Sequence, residues 1–463
     1  MSSDRLDLLL LVSIMLKRYR RALSPKADFL AIFRPQTGKF AELDGIRAIA
    51  ILMVVMLHCL YGTYSLLEKP IFLEFVQSVP GWMNFAWQAR GSDLIFILSG
   101  LLVSRTLVSE LHRDGHIRLL DFYCKRLVRI MPLFVIALAL HLLMAPVSAP
   151  YLWSNLLFVT NFFDNQHFII PVGWSLNLKM QFYFVLPAVI WLLYKTGRPF
   201  LWGGVALLGA IAVCYFRALS EPTLVSMHFY EMLYKPELAA IYAKTLYYDL
   251  STRFGPFLLG VLLAWALEWH RQDIRAAFLR WPLLPLVVLL ASCALLYATA
   301  SLPIHDETSE IYRHFSNEWN LFQLSTNKLL FALGATGLIL LASIPTGVFS
   351  VVHRLLSLWF WRPVSQLIYG IYLFHLPFML LSAFLVVGTF KKELITAFEF
   401  TQVLGIFGLT VLLTMLFVLP LHLFVEQPCI RMYRGRRGVA ATAPAEPVSV
   451  PQVEQTGRGS VGV

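Results

Sequence analysis

Charge is scarce in this chain. Asp, Glu, Lys and Arg make up 14% of its 463 residues, against about 25% in an ordinary soluble domain. That shortage excludes a soluble globular protein, and a mean hydropathy of +0.67 points the same way. Cysteine is scarce as well. There are 5, an odd number, and Cys59, Cys124, Cys214 and Cys293 are scattered in or beside apolar runs. Neither a disulfide framework nor a cysteine metal site fits that spacing. The histidines show no HxxxH or HExxH pattern, so no metal is expected. No internal repeat relates the two halves, which argues against transporters built on such repeats. The formal charge of +11 would suggest nucleic acid on a soluble chain. On this one it reads as positive-inside topology and contact with anionic membrane lipid, with no nucleic-acid partner.

What the chain has is apolar runs long enough to cross a bilayer. Ten fall near 42–62, 91–111, 126–146, 175–194, 199–217, 254–269, 282–301, 326–343, 365–388 and 403–426. The expected fold is all-α, a polytopic transmembrane helix bundle of about ten spans. Basic clusters such as Lys17 to Arg21, Arg113 to Arg129, Arg271 to Arg280 and Arg431 to Arg437 occupy alternate connections. Both termini are therefore expected in the cytoplasm. Residues 6–16 are apolar and the basic KRYRR follows them, the reverse of a secretory signal. Residues 1–40 then read as a cytoplasmic extension carrying an interfacial amphipathic helix. Residues 41–430 form the membrane domain, and 431–463, rich in Ala, Pro, Val, Gly and Ser, read as a disordered cytoplasmic tail. Two long outer loops are expected, about 218–253 and 302–325. The first holds Tyr230, Tyr234, Tyr242, Tyr247 and Tyr248. These tyrosines suit either a platform for a sugar ring or an interfacial aromatic belt, and the belt is the commoner arrangement.

Ionisable groups inside a span are costly and mark functional sites by default. Residues 43–58 read LDGIRAIAILMVVMLH, with Arg47 and His58 eleven positions apart. Eleven residues make about three helical turns, so both share one face, roughly 16 Å apart. Arg126 and Arg129 are i and i+3 neighbours at the start of the third span. With Arg47 they would clamp phosphates; the alternative is that they are topology signals. His58 suits a general base or a plain interhelical hydrogen bond. Asp93, at the outer end of span two, would orient the histidine, hold an acceptor hydroxyl, or simply complement the helix dipole. Ser99 and Gly100 suit close helix packing.

On these residues the chain resembles the acyltransferase 3 family of integral membrane O-acyltransferases. Arg47 and His58 match its Arg-x10-His signature, and Arg126 and Arg129 its Arg-x-x-Arg signature. GSDLIFILSGLLVS, with Asp93, resembles its second-helix motif. VGWSL (172–176), STRFGPFLLG (251–260), YGIYLFHLP (369–377) and FVEQP (424–428) resemble later motifs in matching order. The resemblance implies an acyl group, most often acetyl, taken from cytoplasmic acyl-CoA and delivered to a hydroxyl of a carbohydrate or lipid-linked glycan outside, in a bacterial inner membrane. It puts Arg47, Arg126 and Arg129 on the CoA phosphates and His58 in the role of base. Asp93 is set beside His58 in catalysis, and Trp174, Lys179, Arg253 and His375 are candidates for the acceptor side, with no role of the relatives' glutamate carried over to Lys179. For His375, bonding a neighbouring helix is an equal alternative. Lys179 stands where many relatives carry a glutamate, and it is expected near the outer end, paired with Asp93 or reaching water. Glu426 is expected to pair with one of the arginines. The rival readings are a transporter of a glycan or small solute, and a relative that has lost turnover.

Overall fold

The computed structural model describes residues 13, 15–34, 40–87, 89–163, 167–228, 231–232, 235–301 and 316–441. Among these residues, ten helices are long and apolar enough to cross a membrane. They are α1 (Glu42–Leu66), α2 (Arg90–Asp114), α3 (Leu119–Met144), α4 (Gly173–Lys195) and α5 (Pro199–Leu219). Then come α6 (Leu250–Trp269), α7 (Leu283–Leu296, continued by a wide turn so that the span runs to Ala300), α8 (Asn317–Ser343), α9 (Trp361–Val387) and α10 (Phe400–Leu421). No strand occurs among the described residues. Helices are the economical solution here, because each satisfies its own backbone without water.

Every expected span is present, with shifted ends. The largest shift is in α8, which starts at Asn317 rather than 326. Its first turns carry Asn320, Ser325 and Lys328, all buried against protein. Hydropathy alone does not recognise a helix end whose polar groups are used internally. Most of the expected N-terminal amphipathic helix, together with Tyr230, Tyr234 and 302–315, lies outside the described residues. A helix over Gln427–Ala441 runs past residue 431, where the disordered tail was expected to begin; residues beyond 441 lie outside the described ones.

The helices fall into an inner and an outer set. In α6, 78% of the most apolar stretch is buried, against 17% in α5 and 22% in α7. The outer set shows Leu201, Leu208, Phe216, Leu283, Val287 and Leu290 to its surroundings, as a lipid-facing surface would. The inner pair α2 and α6 makes the most extensive contact in the molecule. It does so through glycine. A Cβ on Gly100 would lie 2.2 Å from the Phe257 carbonyl oxygen, and one on Gly260 would lie 2.2 Å from that of Ile97. Asp93 and Arg253 each lie seven residues, about two turns, before these glycines. The crossing thus sets the two charged side chains at one level.

The start of α1, the helix Pro25–Phe33 and the helix Gln427–Ala441 meet at one end of the bundle. Glu42 accepts from Ser343 at 2.7 Å, and Asp44 accepts from Ser365 at 2.6 Å and from Arg362 at 2.9 Å. Arg431 grips Asp28 through two hydrogen bonds of 2.5 and 2.6 Å. The helix Pro25–Phe33 and the helix after α10 are therefore on the same end. We call this the arginine end.

Candidate active site

Two neighbourhoods carry the ionisable residues picked out in the sequence. The first is at the arginine end. Arg47 lies 3.2 Å from Asp44, the carboxylate that also holds Arg362. Arg129 is exposed and lies within electrostatic reach of both Arg47 and Lys179. Arg126 lies over the rings of Phe122 and Tyr183, and its Nε has no partner. The three predicted phosphate-clamp arginines are thus gathered in one region, and among the described residues Arg47 is the one with a carboxylate at salt-bridge distance. Lys179 lies between this region and the cavity. Its ammonium is 5.4 Å from the Tyr372 ring centre, and it does not pair with Asp93. The reason is depth: six residues into α4 is about 9 Å of travel from Gly173 toward the arginine end. Glu426 also departs from expectation. It pairs with His422 at 2.8 Å rather than with an arginine, because the two sit i, i+4 on one wide helical turn.

The second neighbourhood is a cavity of about 400 Å³ in the other half of the bundle. His58, Arg90, Trp174, Tyr247, Arg253 and Lys328 are on its wall. Asp93 lies behind that wall. It is 3.4 Å from Arg90 and 3.1 Å from Arg253, and all three are buried. It does not touch His58, so orienting the histidine falls to another group. Arg253 also donates to Ser92 at 2.9 Å and lies 4.5 Å from the Tyr247 ring centre. Trp174 packs on Tyr247 and Tyr248 at 4.4 and 5.3 Å. These tyrosines therefore line a cavity wall instead of forming an interfacial belt. Burial pushes the Tyr248 phenol up to about 12, so it stays a neutral hydrogen-bond donor.

The group that meets His58 is His375, with Nε2 3.0 Å from Nδ1 of His58. His375 is fully buried and is not on the cavity wall. Its Nδ1 lies 3.0 Å from the carbonyl oxygens of both Ile371 and Tyr372. Carbonyls only accept, so that nitrogen carries the proton and Nε2 holds a lone pair. Nδ1–H of His58 then donates to that lone pair. The remaining nitrogen of His58, Nε2, is left unprotonated. An imidazole locked in one tautomer with its free lone pair available is the arrangement a general base requires. His375 thus occupies the role expected of Asp93. It was legible only as one of two equal readings, because its partner is 317 positions away.

Sequence reasoning missed two cationic residues of the cavity wall, Arg90 and Lys328. Arg90 stands three positions before Asp93, an i, i+3 pairing visible in the sequence. Lys328 looked like a span end, since its helix was expected to begin at 326. With α8 starting at Asn317, it is a buried intramembrane cation.

With this geometry established, comparison with known proteins decides the family. The acyltransferase-domain family profile matches residues 40–419. The chain belongs to the acyltransferase 3 family. It is 26% identical over 368 residues to a putative peptidoglycan O-acetyltransferase, YrhL, of Bacillus subtilis, covering 73% of this chain and 48% of that one. It is 28% identical over 178 residues to the O-acetyltransferase OatA of Staphylococcus aureus, covering 34% of this chain and 26% of that one. An uncharacterized protein of Haemophilus influenzae is 29% identical over 195 residues, 37% of this chain and 73% of its own. The chain thus spans about half the length of the Bacillus relative and about a quarter of the Staphylococcus one. No solved structure matches. Family and fold together make this an integral membrane acyltransferase-family protein.

Proposed function

We propose that the protein transfers an acetyl group from acetyl-CoA, bound at a cytoplasmic arginine end, to a hydroxyl of an envelope glycan bound in the cavity. The names of the Bacillus and Staphylococcus relatives support O-acetylation and, for the former, a peptidoglycan acceptor. The observation that carries the reading is the His58–His375 contact, with His58 on the cavity wall and its free lone pair available.

The chemistry follows from that pair. His58 Nε2 takes the acceptor hydroxyl proton as the oxygen attacks the thioester carbonyl carbon. The C–S bond breaks and the electron pair leaves on sulfur. The proton on His58 then passes to the thiolate, giving the O-acetyl ester and free CoA thiol. Positive charge gained by His58 is shared along the hydrogen bond to His375, whose own N–H is anchored on two carbonyls. His375 is thus a positioning residue. Holding both reactants in a dry site removes much of the entropic barrier.

Arg126 and Arg129, with Arg47 held by Asp44, suit the phosphates of CoA, since guanidinium groups match phosphate oxygens. Lys179, between these arginines and Tyr372, suits the donor side of the reaction. Asp93 fixes Arg90 and Arg253 in the acceptor cavity rather than acting on the proton. Basic clusters at the arginine end support a cytoplasmic face there and both termini inside. Reconstituted protein supplied with radiolabelled acetyl-CoA and envelope glycan tests this reading: label should enter the glycan, and the His58→Ala variant should leave it unlabelled. Transfer at the wild-type rate by that variant would remove His58 from the reaction.

A further inference from the structure

The cavity wall carries more positive charge than it can neutralise. Arg90, Arg253 and Lys328 are on it, and none of the lining residues is a carboxylate. Asp93, just behind, is shared by the two arginines. Three buried cations thus face one carboxylate among the described residues. Lys328 is 7% exposed. Its ammonium donates to the Leu246 carbonyl at 2.7 Å and lies 5.3 Å from the Tyr242 ring centre. An ammonium has three donors and a guanidinium five. Arg90 spends donors on Asp93 and the Thr299 carbonyl, while Arg253 donates to Ser92 and lies 3.1 Å from Asp93 as an ion pair. The Nε atoms of both arginines, on residues 6% and 1% exposed, have no partner.

Buried charge without a counter-charge is costly, and truncating it to an apolar group would relieve that cost. A site that keeps a surplus of cations, with donors left over, is built for an anion. A cationic acceptor group would be repelled by all three. A neutral sugar would leave the surplus where it is. The aromatic faces of Trp174 and Tyr247 lie on the same wall, suited to the flat face of a sugar ring.

We infer that the acceptor held in this cavity is an anionic saccharide, whose carboxylate or phosphate is bound by Lys328 with Arg253 and Arg90 while a hydroxyl of the same sugar reaches His58. This inference rests on the acetyl-transfer reading for the role of the bound sugar, but the binding itself needs no acyl donor. The charged group fixes the register of the sugar, and so decides which hydroxyl meets the base.

The test is direct binding to the full chain in zwitterionic-lipid nanodiscs without acyl donor, read by tryptophan fluorescence and calorimetry. The probes are matched pairs: digalacturonic acid against its methyl ester, and glucose 6-phosphate against glucose. The wild type should bind the acidic member of at least one pair about tenfold or more tighter than its neutral partner. The pair that shows this separates carboxylate from phosphate. Lys328→Met should lose most of that preference, and Lys328→Arg should keep it, which controls for misfolding in the first variant. Equal binding within both pairs, no binding of either acid, or a preference that survives in Lys328→Met would overturn the inference. So would competition between coenzyme A and the acidic sugar together with weaker coenzyme A binding in Lys328→Met, since the cations would then serve the donor. Acetyl transfer to a neutral glycan without any acid preference would leave the enzymatic reading standing and this one refuted.

Discussion

The arginine end and the cavity hold similar numbers of cations in opposite ways. At the arginine end Arg129 is exposed, Lys179 lies near an aromatic ring, and among the described residues Asp44 is the carboxylate that pairs with Arg47. In the cavity Arg90 and Arg253 are locked on one buried carboxylate, itself positioned by a glycine crossing. The first arrangement reaches the surface at Arg129, where salt can screen it. The second is assembled before any ligand arrives, and its charges act in a medium where they are screened far less. A mobile, multiply charged donor that must bind and leave suits the first. An acceptor that must be held in one register suits the second. His58 lies between them, eleven residues along α1 from Arg47 and on the wall of the cavity.

The change that should collapse the contrast most completely is His58→Ala, which leaves both binding regions intact and removes the base that connects them. We expect turnover to fall by about 10²- to 10⁴-fold, the usual contribution of a positioned general base, with coenzyme A binding unchanged. Steady-state kinetics beside a binding isotherm would show this. Next in size is the crossing that builds the cavity. Gly260→Ala places a methyl group against the Ile97 carbonyl. A destabilisation of about 1–3 kcal/mol is expected from overpacking, read as a lower unfolding midpoint in detergent, together with lost acceptor binding. His375→Ala removes the side-chain acceptor for the His58 N–H and leaves it the Val54 carbonyl. A loss of about tenfold in kcat is expected, the value of one hydrogen bond of roughly 1.4 kcal/mol. Donor KM should not move, and His375→Gln, which retains an acceptor oxygen, should recover part of the rate. The smallest effect is at the arginine end. Arg126→Ala or Arg129→Ala should raise donor KM several-fold at low salt. The difference from wild type should shrink as the screening length falls from about 30 Å to about 8 Å at physiological ionic strength.

The two regions were unequally legible in the sequence. All ten helices could be read, because lipid leaves an apolar stretch few alternatives to a spanning helix. The arginine end was legible too, since Arg47, Arg126 and Arg129 lie on local helical spacings. The cavity was not. Arg253 reaches Asp93 across 160 positions of sequence, and His375 reaches His58 across 317. Such pairings depend on which helices are neighbours, and periodicity carries no information about that. Lys328 was hidden by a misplaced helix start, and Lys179 lies about one and a half turns into α4 beside Tyr372, too deep to pair with Asp93. Asp93 was rightly picked out as an intramembrane charge but assigned to the wrong partner. An isolated acid beside a histidine in depth invites a dyad, and only the α2–α6 crossing shows that Arg253 claims it.

On this account His58 takes the acceptor proton as the acyl group passes from a donor at the arginine end directly to a hydroxyl in the cavity. The most direct test places wild type and His58→Ala side by side in nanodiscs with radiolabelled acetyl-CoA and envelope glycan, measuring donor binding and label transfer in the same samples. The account predicts equal donor binding in both and labelled glycan with wild type alone. Labelled glycan from His58→Ala at the wild-type rate would contradict it.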